Sequence, residues 1–235
     1  MNVTAIVPAA GTGRRMGEGE KKPYILLLGK PILIRTLEVL AGLAAIRHIV
    51  IPVFPGEEQR CRDELGGYLT PAVRVSVTAG GQTRQESVGK ALALVEDNTE
   101  LVLVHDGARP LVPAELIEQA LEQAQRLGAA TLGVPVKDTT VRVAGTDMQI
   151  TETLPRRQLY AVQTPQVFKR ELIVKAHRSA RQEGFSGTDD ASLVQRLGNA
   201  VTIVPGTYDN IKITTPEDLL IAESILRRRT RKNIE

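Results

Sequence analysis

Aromatic side chains are scarce in this chain, at only 3% of 235 residues, and no stacking motif interleaves its cations. That argues against a nucleic-acid partner, because single strands are held by bases stacked on aromatic faces. There is one cysteine, Cys61. An internal disulfide is therefore excluded, and a reducing compartment fits. Arg60 and Arg62 flank Cys61 and could activate it, but on an expected helix with no clear partner it reads as structural or incidental. No apolar run is long enough to span a bilayer, and no signal peptide precedes the first expected strand. The expected setting is the cytoplasm, with no membrane partner.

Charge is nearly balanced, with a net +3 and a pI of about 9.1. Much of the excess sits in Arg227-Arg228-Arg229-Thr230-Arg231-Lys232. Such a tail reads as a solvated helix end, where cations also suit the dipole. The remaining basicity suits small anionic substrates. With 42% hydrophobic and 24% charged residues, the chain has an ordinary globular composition and ample length for a core. Residues 1–235 are read as one domain with a single excursion.

Short Val/Ile/Leu-rich runs alternate with helical patterns along most of the chain. Strands are expected at Val3–Val7, Ile46–Val53, Val73–Thr78, Leu101–Val104 and Thr131–Val136. Helices are expected at Pro31–Leu43, Gly56–Leu69, Thr83–Val95 and from Pro113 to Gly128. This rhythm predicts an α/β fold: a Rossmann-like, doubly wound, mostly parallel sheet. It breaks at Lys137–Tyr160, where alternation around Gly145-Thr146-Asp147 predicts a protruding β-hairpin arm. An exposed hairpin has edges to cover, and a partner chain would cover them. Helices are then expected at Arg170–Gln182 and Ala191–Leu197, with strands at Val201–Val204 and Ile211–Ile213. Thr215-Pro216-Glu217-Asp218 marks the start of the last helix.

The stretch Val7-Pro8-Ala9-Ala10-Gly11-Thr12-Gly13-Arg14-Arg15-Met16 organises the rest. Pro8 ends the first strand. Small residues then allow close approach of backbone to a ligand, and successive free N–H groups suit phosphate oxygens. Arg14, Arg15, Lys21 and Lys22 follow. The pattern lacks the third glycine of a dinucleotide fingerprint and the Gly-Lys-Ser/Thr of a Walker A loop. It is suited to a nucleoside triphosphate. Lys22 precedes Pro23, which is expected to hold it extended.

In open α/β sheets ligands bind beyond the carboxyl ends of strands. One such end carries Ala79-Gly80-Gly81-Gln82-Thr83-Arg84-Gln85-Glu86-Ser87, where Gly81 brings backbone, and Ser87 a hydroxyl, toward a base edge. Another carries His105-Asp106-Gly107-Ala108-Arg109-Pro110. A carboxylate directly after a buried strand suits Mg²⁺, which takes few protein carboxylates and completes its shell with phosphates and water. Asp106 is the expected ligand. His105 is read as a packed histidine.

These motifs resemble the sugar-phosphate nucleotidyltransferases, and more narrowly the 2-C-methyl-D-erythritol 4-phosphate cytidylyltransferase family of non-mevalonate isoprenoid biosynthesis. Pro135-Val136-Lys137-Asp138-Thr139, Arg156, Thr164-Pro165-Gln166, Thr188-Asp189-Asp190-Ala191 and Asp209-Asn210-Ile211-Lys212-Ile213-Thr214 follow in that family's order, and the likeness spans about residues 2–226. Two positions depart from it: Gln82, where relatives often have aspartate, and Gly107, where alanine is usual. The resemblance implies an enzyme that transfers the cytidylyl group of CTP to methylerythritol 4-phosphate, releasing pyrophosphate. It implies Arg15 and Lys22 on the transition state, and Arg156 and Lys212 on the attacking phosphate. Ala9, Ala10, Gly11, Gly13, Gly81 and Ser87 would bind the nucleotide. Arg109, Thr139, Thr164, Thr188 and Asp209 would lie on the substrate side, with Mg²⁺ on Asp106. It further implies a homodimer with shared sites. Ribitol 5-phosphate cytidylyltransferase shares nearly all these motifs and stays open. So does a non-catalytic nucleotide-binding module, although such a module would not need Arg15, Lys22 and Asp106 together.

Overall fold

A computed structural model describes residues 1–11, 21–66, 68 and 73–232. The strands are β1 (Val3–Ile6), β2 (Leu26–Leu27), β3 (Lys30–Pro31), β4 (Ile46–Val53), β5 (Arg74–Ala79), β6 (Leu101–Val104), β7 (Ala129–Pro135), β8 (Val141–Ala144), β9 (Gln149–Thr153), β10 (Tyr160–Lys169) and β11 (Thr202–Pro205). The helices are α1 (Ile32–Ala41), α2 (Glu58–Gly66), α3 (Arg84–Leu92), α4 (Ala114–Leu127), α5 (Arg170–Gln182), α6 (Asp190–Arg196) and α7 (Pro216–Lys232).

Seven strands form the main sheet in the order β11-β7-β10-β6-β1-β4-β5. Only β10 runs antiparallel to its neighbours, β6 and β7. The chain builds outward from β1 through β4 and β5, then returns to place β6 on the other side of β1. The direction of winding therefore reverses between β1 and β6, where open α/β sheets leave a crevice at their strand ends.

Both sheet faces are covered, so the inner parallel strands β1, β4 and β6 are mostly apolar rather than alternating. Val3, Ala5 and Val7 join Leu33, Leu37 and Leu40 of α1 and Ile117 and Leu121 of α4 on one face. Ile6, Val102 and Val104 meet Val88 of α3, Ile173 of α5 and Leu193 of α6 on the other. A third cluster ties α7 to the body through Leu27, Ile32, Leu111, Ile213, Ala222 and Ile225. Helix α4 follows Pro113 and stops at Gly128, whose φ of 95° suits a residue without a side chain.

Two expectations are corrected. Ile211–Ile213 forms no strand: Ile213 packs into the α7 cluster, while its N–H donates to the Ala108 carbonyl. Tyr160–Lys169, not expected as a strand, pairs on both edges in the middle of the sheet. Its Pro165 sits where the register with β7 breaks between Val162 and Gln166, so the missing N–H costs no ladder bond. The expected arm is present as a separate two-stranded sheet, β8 with β9.

Candidate functional site

A cleft of about 760 Å³ opens at the carboxyl ends of β1, β5 and β6. The loop after β1 contributes Ala9, Ala10 and Gly11, and the loop after β5 contributes Gly81, Thr83, Arg84 and Ser87. Asp106 and Gly107 enter from the loop after β6, Lys212 and Thr214 from the segment before α7, and Lys22 from the 3-10 turn Lys22–Tyr24. Positions as distant in the chain as Pro8 and Thr214 thus share one cleft.

The two small-residue loops touch. A Cβ on Gly80 would lie 2.5 Å from Ala10 Cβ and 3.0 Å from the Val53 carbonyl, and one on Gly81 would lie 2.3 Å from Glu86 Cβ. Neither position can carry a side chain without moving backbone. Ser87 is buried. Its hydroxyl donates to the Thr83 carbonyl and accepts from Gly81 N–H at 3.0 Å, so it shapes the loop as well as lining the cleft. Thr83 caps α3 by accepting from Glu86 N–H.

Asp106 is the centre of charge. Its Oδ1 lies 3.2 Å from Arg84 Nε, and its Oδ2 lies 2.9 Å from Lys212 Nζ and 3.4 Å from Arg109 Nε. Burial alone would raise this carboxyl; the Arg84 and Lys212 cations outweigh that and hold it well below the usual range. Three cations around one carboxylate leave surplus positive charge at the cleft wall, as a polyanion requires.

Arg84 received no role from the sequence. It joins Asp106 to Asp190, whose Oδ2 lies 2.7 Å from Arg84 Nη1 and whose Oδ1 lies 2.9 Å from His177 Nε2. Burial opposes the guanidinium charge, but Asp190 and Asp106 secure it. Its partners lie 22 and 106 residues away, and no local pattern could reveal them.

His105, Thr164 and Asn210 lie behind the charges, all buried. His105 Nε2 is 3.0 Å from the Arg109 carbonyl. A carbonyl only accepts, so Nε2 carries the proton. The neutral ring then offers the Nδ1 lone pair, and Thr164 Oγ1 donates to it at 3.1 Å. Thr164 Oγ1 in turn accepts from Asp106 N–H at 3.0 Å. Burial pushes the His105 pKa down to about 4. In the unfolded chain it protonates near 6.5. Between these values the unfolded state binds a proton that the folded state refuses, so stability falls as pH drops from about 6.5 to about 4. The expected loss is about 3 kcal/mol. Denaturant unfolding of wild type and His105→Gln across this range checks it, because the variant should lack this component of the slope.

The remaining expected site residues fall into four groups. Gly13 and Arg15 lie outside the described residues. Lys22 lines the cleft but begins a 3-10 turn, Lys22–Tyr24, rather than lying extended. Proline near the start of such a turn is tolerated because its N–H would be unpaired there anyway. Thr139, Arg156 and Thr188 are exposed and do not line this chain's cleft; Arg156 Nη1 donates to the Lys137 carbonyl at 2.8 Å. Asp209 is held by the tail, with Arg228 at 2.7 Å and Arg229 at 3.6 Å.

Comparison with known proteins agrees with this geometry. Residues 3–228 match the family model for 2-C-methyl-D-erythritol 4-phosphate cytidylyltransferase. The protein of that name from Desulforamulus reducens is 48% identical over 97% of each chain. The one from Caldanaerobacter subterraneus subsp. tengcongensis is 45% identical, over 97% of this chain and all of that one. Among solved structures, 4-diphosphocytidyl-2C-methyl-D-erythritol synthase from Anaerococcus prevotii superposes with a TM-score of 0.85 at 31% identity, covering 96% of each chain. The Thermus thermophilus cytidylyltransferase gives 0.78 at 35%, covering 97% of this chain and 100% of that one. With its glycine loops, its ringed aspartate and these relatives along nearly its whole length, the chain belongs to the 2-C-methyl-D-erythritol 4-phosphate cytidylyltransferase family.

Proposed function

We propose that this protein transfers the cytidylyl group of CTP to 2-C-methyl-D-erythritol 4-phosphate, forming 4-diphosphocytidyl-2-C-methyl-D-erythritol and pyrophosphate. The observation that carries the reading is Asp106, ringed by Arg84, Arg109 and Lys212 at the sheet's switch point, in a cleft whose other wall is two side-chain-poor loops. The attacking group is already an anionic phosphate and needs no base. The barrier lies in bringing two anions together and in the charge that grows on the α-phosphate oxygens. Catalysis is then positioning and electrostatic stabilisation.

In this reading Ala9, Ala10, Gly11 and Gly13 cradle the triphosphate with backbone N–H groups. Gly81 and Ser87 face cytosine, Arg15 and Lys22 stabilise the transition state, and Lys212 and Arg156 hold the attacking phosphate. Arg109, Thr139, Thr188 and Asp209 serve the polyol side. Asp106 would hold Mg²⁺. A single ionised carboxylate suits an ion that keeps phosphates and water in its shell, and Asp106 is held ionised by its neighbours. Bound there, the ion would neutralise phosphate charge; Lys212, now 2.9 Å from Oδ2, would turn to the incoming phosphate.

Residues 1–235 act as one nucleotidyltransferase unit in the cytoplasm, with 137–160 as the arm of a homodimer. Support for the arm's role comes from its exposed apolar side chains, Val143, Met148 and Ile150, and from Arg156 and Thr139 lying beside it and away from their own cleft. In this reading they would reach a partner's cleft.

Two arms of one assay test the reading. Pyrophosphate release from CTP should be fast with methylerythritol 4-phosphate and much slower with ribitol 5-phosphate. The reverse order would move the chain to the ribitol reaction, and no release with either would leave a binding module. CTP should also be preferred over UTP, ATP and GTP, because a pocket that pairs a base's polar edge leaves its own groups unpaired against the wrong base. Equal turnover of CTP and ATP would remove the base-reading role of Gly81 and Ser87.

A further inference from the structure

Two of the loops that carry the site's charges are tied to each other from behind. Asp106 and Arg109 follow β6, and Lys212 precedes α7. A surface loop bearing a long side chain would not by itself hold an ammonium to within a fraction of an ångström of its target. Behind the charges, however, lies a continuous set of buried hydrogen bonds. Asp106 N–H donates to Thr164 Oγ1, which donates to His105 Nδ1, whose Nε2–H donates to the Arg109 carbonyl. From the other side, Asn210 Nδ2 donates to the Thr164 carbonyl at 2.9 Å and approaches Gln163 Oε1 at 3.3 Å. The Asn210 carbonyl accepts from Arg109 Nη1 at 2.7 Å. Gln163 Nε2 closes the ring on the Thr207 carbonyl, which also accepts from Asn210 N–H.

We propose that Thr164, with His105 and Asn210, is a positioning residue of this enzyme: the three form a buried tie that locks the Asp106–Arg109 loop to the Lys212 loop. The inference rests on the reading of Asp106 and Lys212 as working residues. It gives Thr164 a different part from that of a group touching substrate. Its hydroxyl is buried, already both donates and accepts inside the protein and, unlike that of Ser87, belongs to a residue that does not line the cleft. It also gives parts to His105 and Asn210, which contact none of the reacting groups in the proposed scheme. Strand β10 matters here because it braces both loops, which also meet directly through Ile213 N–H and the Ala108 carbonyl. Thr164 sits on it with its side chain toward one loop and its carbonyl toward the other.

Thr164→Val keeps the shape but removes the hydroxyl, leaving Asp106 N–H and His105 Nδ1 unpaired. Thr164→Ser restores the hydroxyl. Turnover of CTP with methylerythritol 4-phosphate is measured for both, beside CTP binding by calorimetry without acceptor, thermal melting, and turnover of Lys212→Ala. Misplacement of reacting groups slows the reaction more than it weakens ground-state binding. Thr164→Val should therefore lose at least about tenfold in kcat while its CTP dissociation constant stays within about threefold. Thr164→Ser should recover most of the loss. If Thr164→Val does not fold, Asn210→Ala carries the same expectation, since it cuts the tie from the Lys212 side alone. Near wild-type kcat in the folded variant, with Lys212→Ala severely impaired, overturns the tie and leaves the site reading standing. So does a serine variant no better than valine. Near wild-type turnover in Lys212→Ala overturns the site reading itself and the tie with it.

Discussion

Replacing Lys22 with alanine is expected to lower kcat by about a hundredfold or more, the scale seen when a preorganised charge on a developing oxyanion is lost. CTP binding should change little. Lys22 lines the same cleft as Asp106 and is placed by the 3-10 turn that it opens. Its neighbour is the control. Lys21 does not line the cleft; its ammonium lies 2.7 Å from Glu57 Oε1 and 4.5 Å from the Phe54 ring centre. Steady-state kinetics of Lys22→Ala and Lys21→Ala check the assignment. Equal effects at the two positions would mean that general positive charge, and not a placed ammonium, is what matters.

The second large effect concerns the arm. Lys22→Ala and Arg156→Ala should each be nearly inactive alone. Mixed through dissociation and reassociation, they should recover roughly a quarter of wild-type activity. With sites in trans, a mixed dimer collects both lesions in one site and leaves the other site intact. About half of freely exchanged dimers are mixed, which sets the recovery. If Arg156 served its own chain, every site would keep one lesion and nothing would return despite proven exchange. The physical ground is that Arg156 is exposed, bonded to the Lys137 carbonyl and absent from its own cleft.

The parallel core was legible in the sequence because its inner strands are buried on both faces and rich in Val, Ile and Leu, while its helices carry one apolar stripe. Asp106 was legible for the same reason, standing directly after such a strand. Strand β10 was not: Gln163, Thr164, Pro165 and Gln166 interrupt its apolar pattern, and a central proline argues against a strand unless a register break excuses it, as it does here. Ile211–Ile213 misled in the opposite direction, since an apolar pair can serve a satellite core from a loop as well as from a strand. The ion chain from Asp106 through Arg84 to Asp190 and His177 was invisible, because it depends on which strand ends come together. Thr164 appeared only as part of a motif; its buried contacts to Asp106 and His105 needed the fold.

The most direct test follows both products of one reaction. Purified protein is incubated with CTP, Mg²⁺ and 2-C-methyl-D-erythritol 4-phosphate and monitored by phosphorus NMR. Loss of the CTP and sugar-phosphate signals should be matched by equal amounts of pyrophosphate and of a new phosphoanhydride with two coupled phosphorus resonances. Without the acceptor, CTP should persist. Conversion of CTP to CMP and pyrophosphate at the same rate with or without acceptor, or no change in either substrate, would contradict cytidylyl transfer at this cleft.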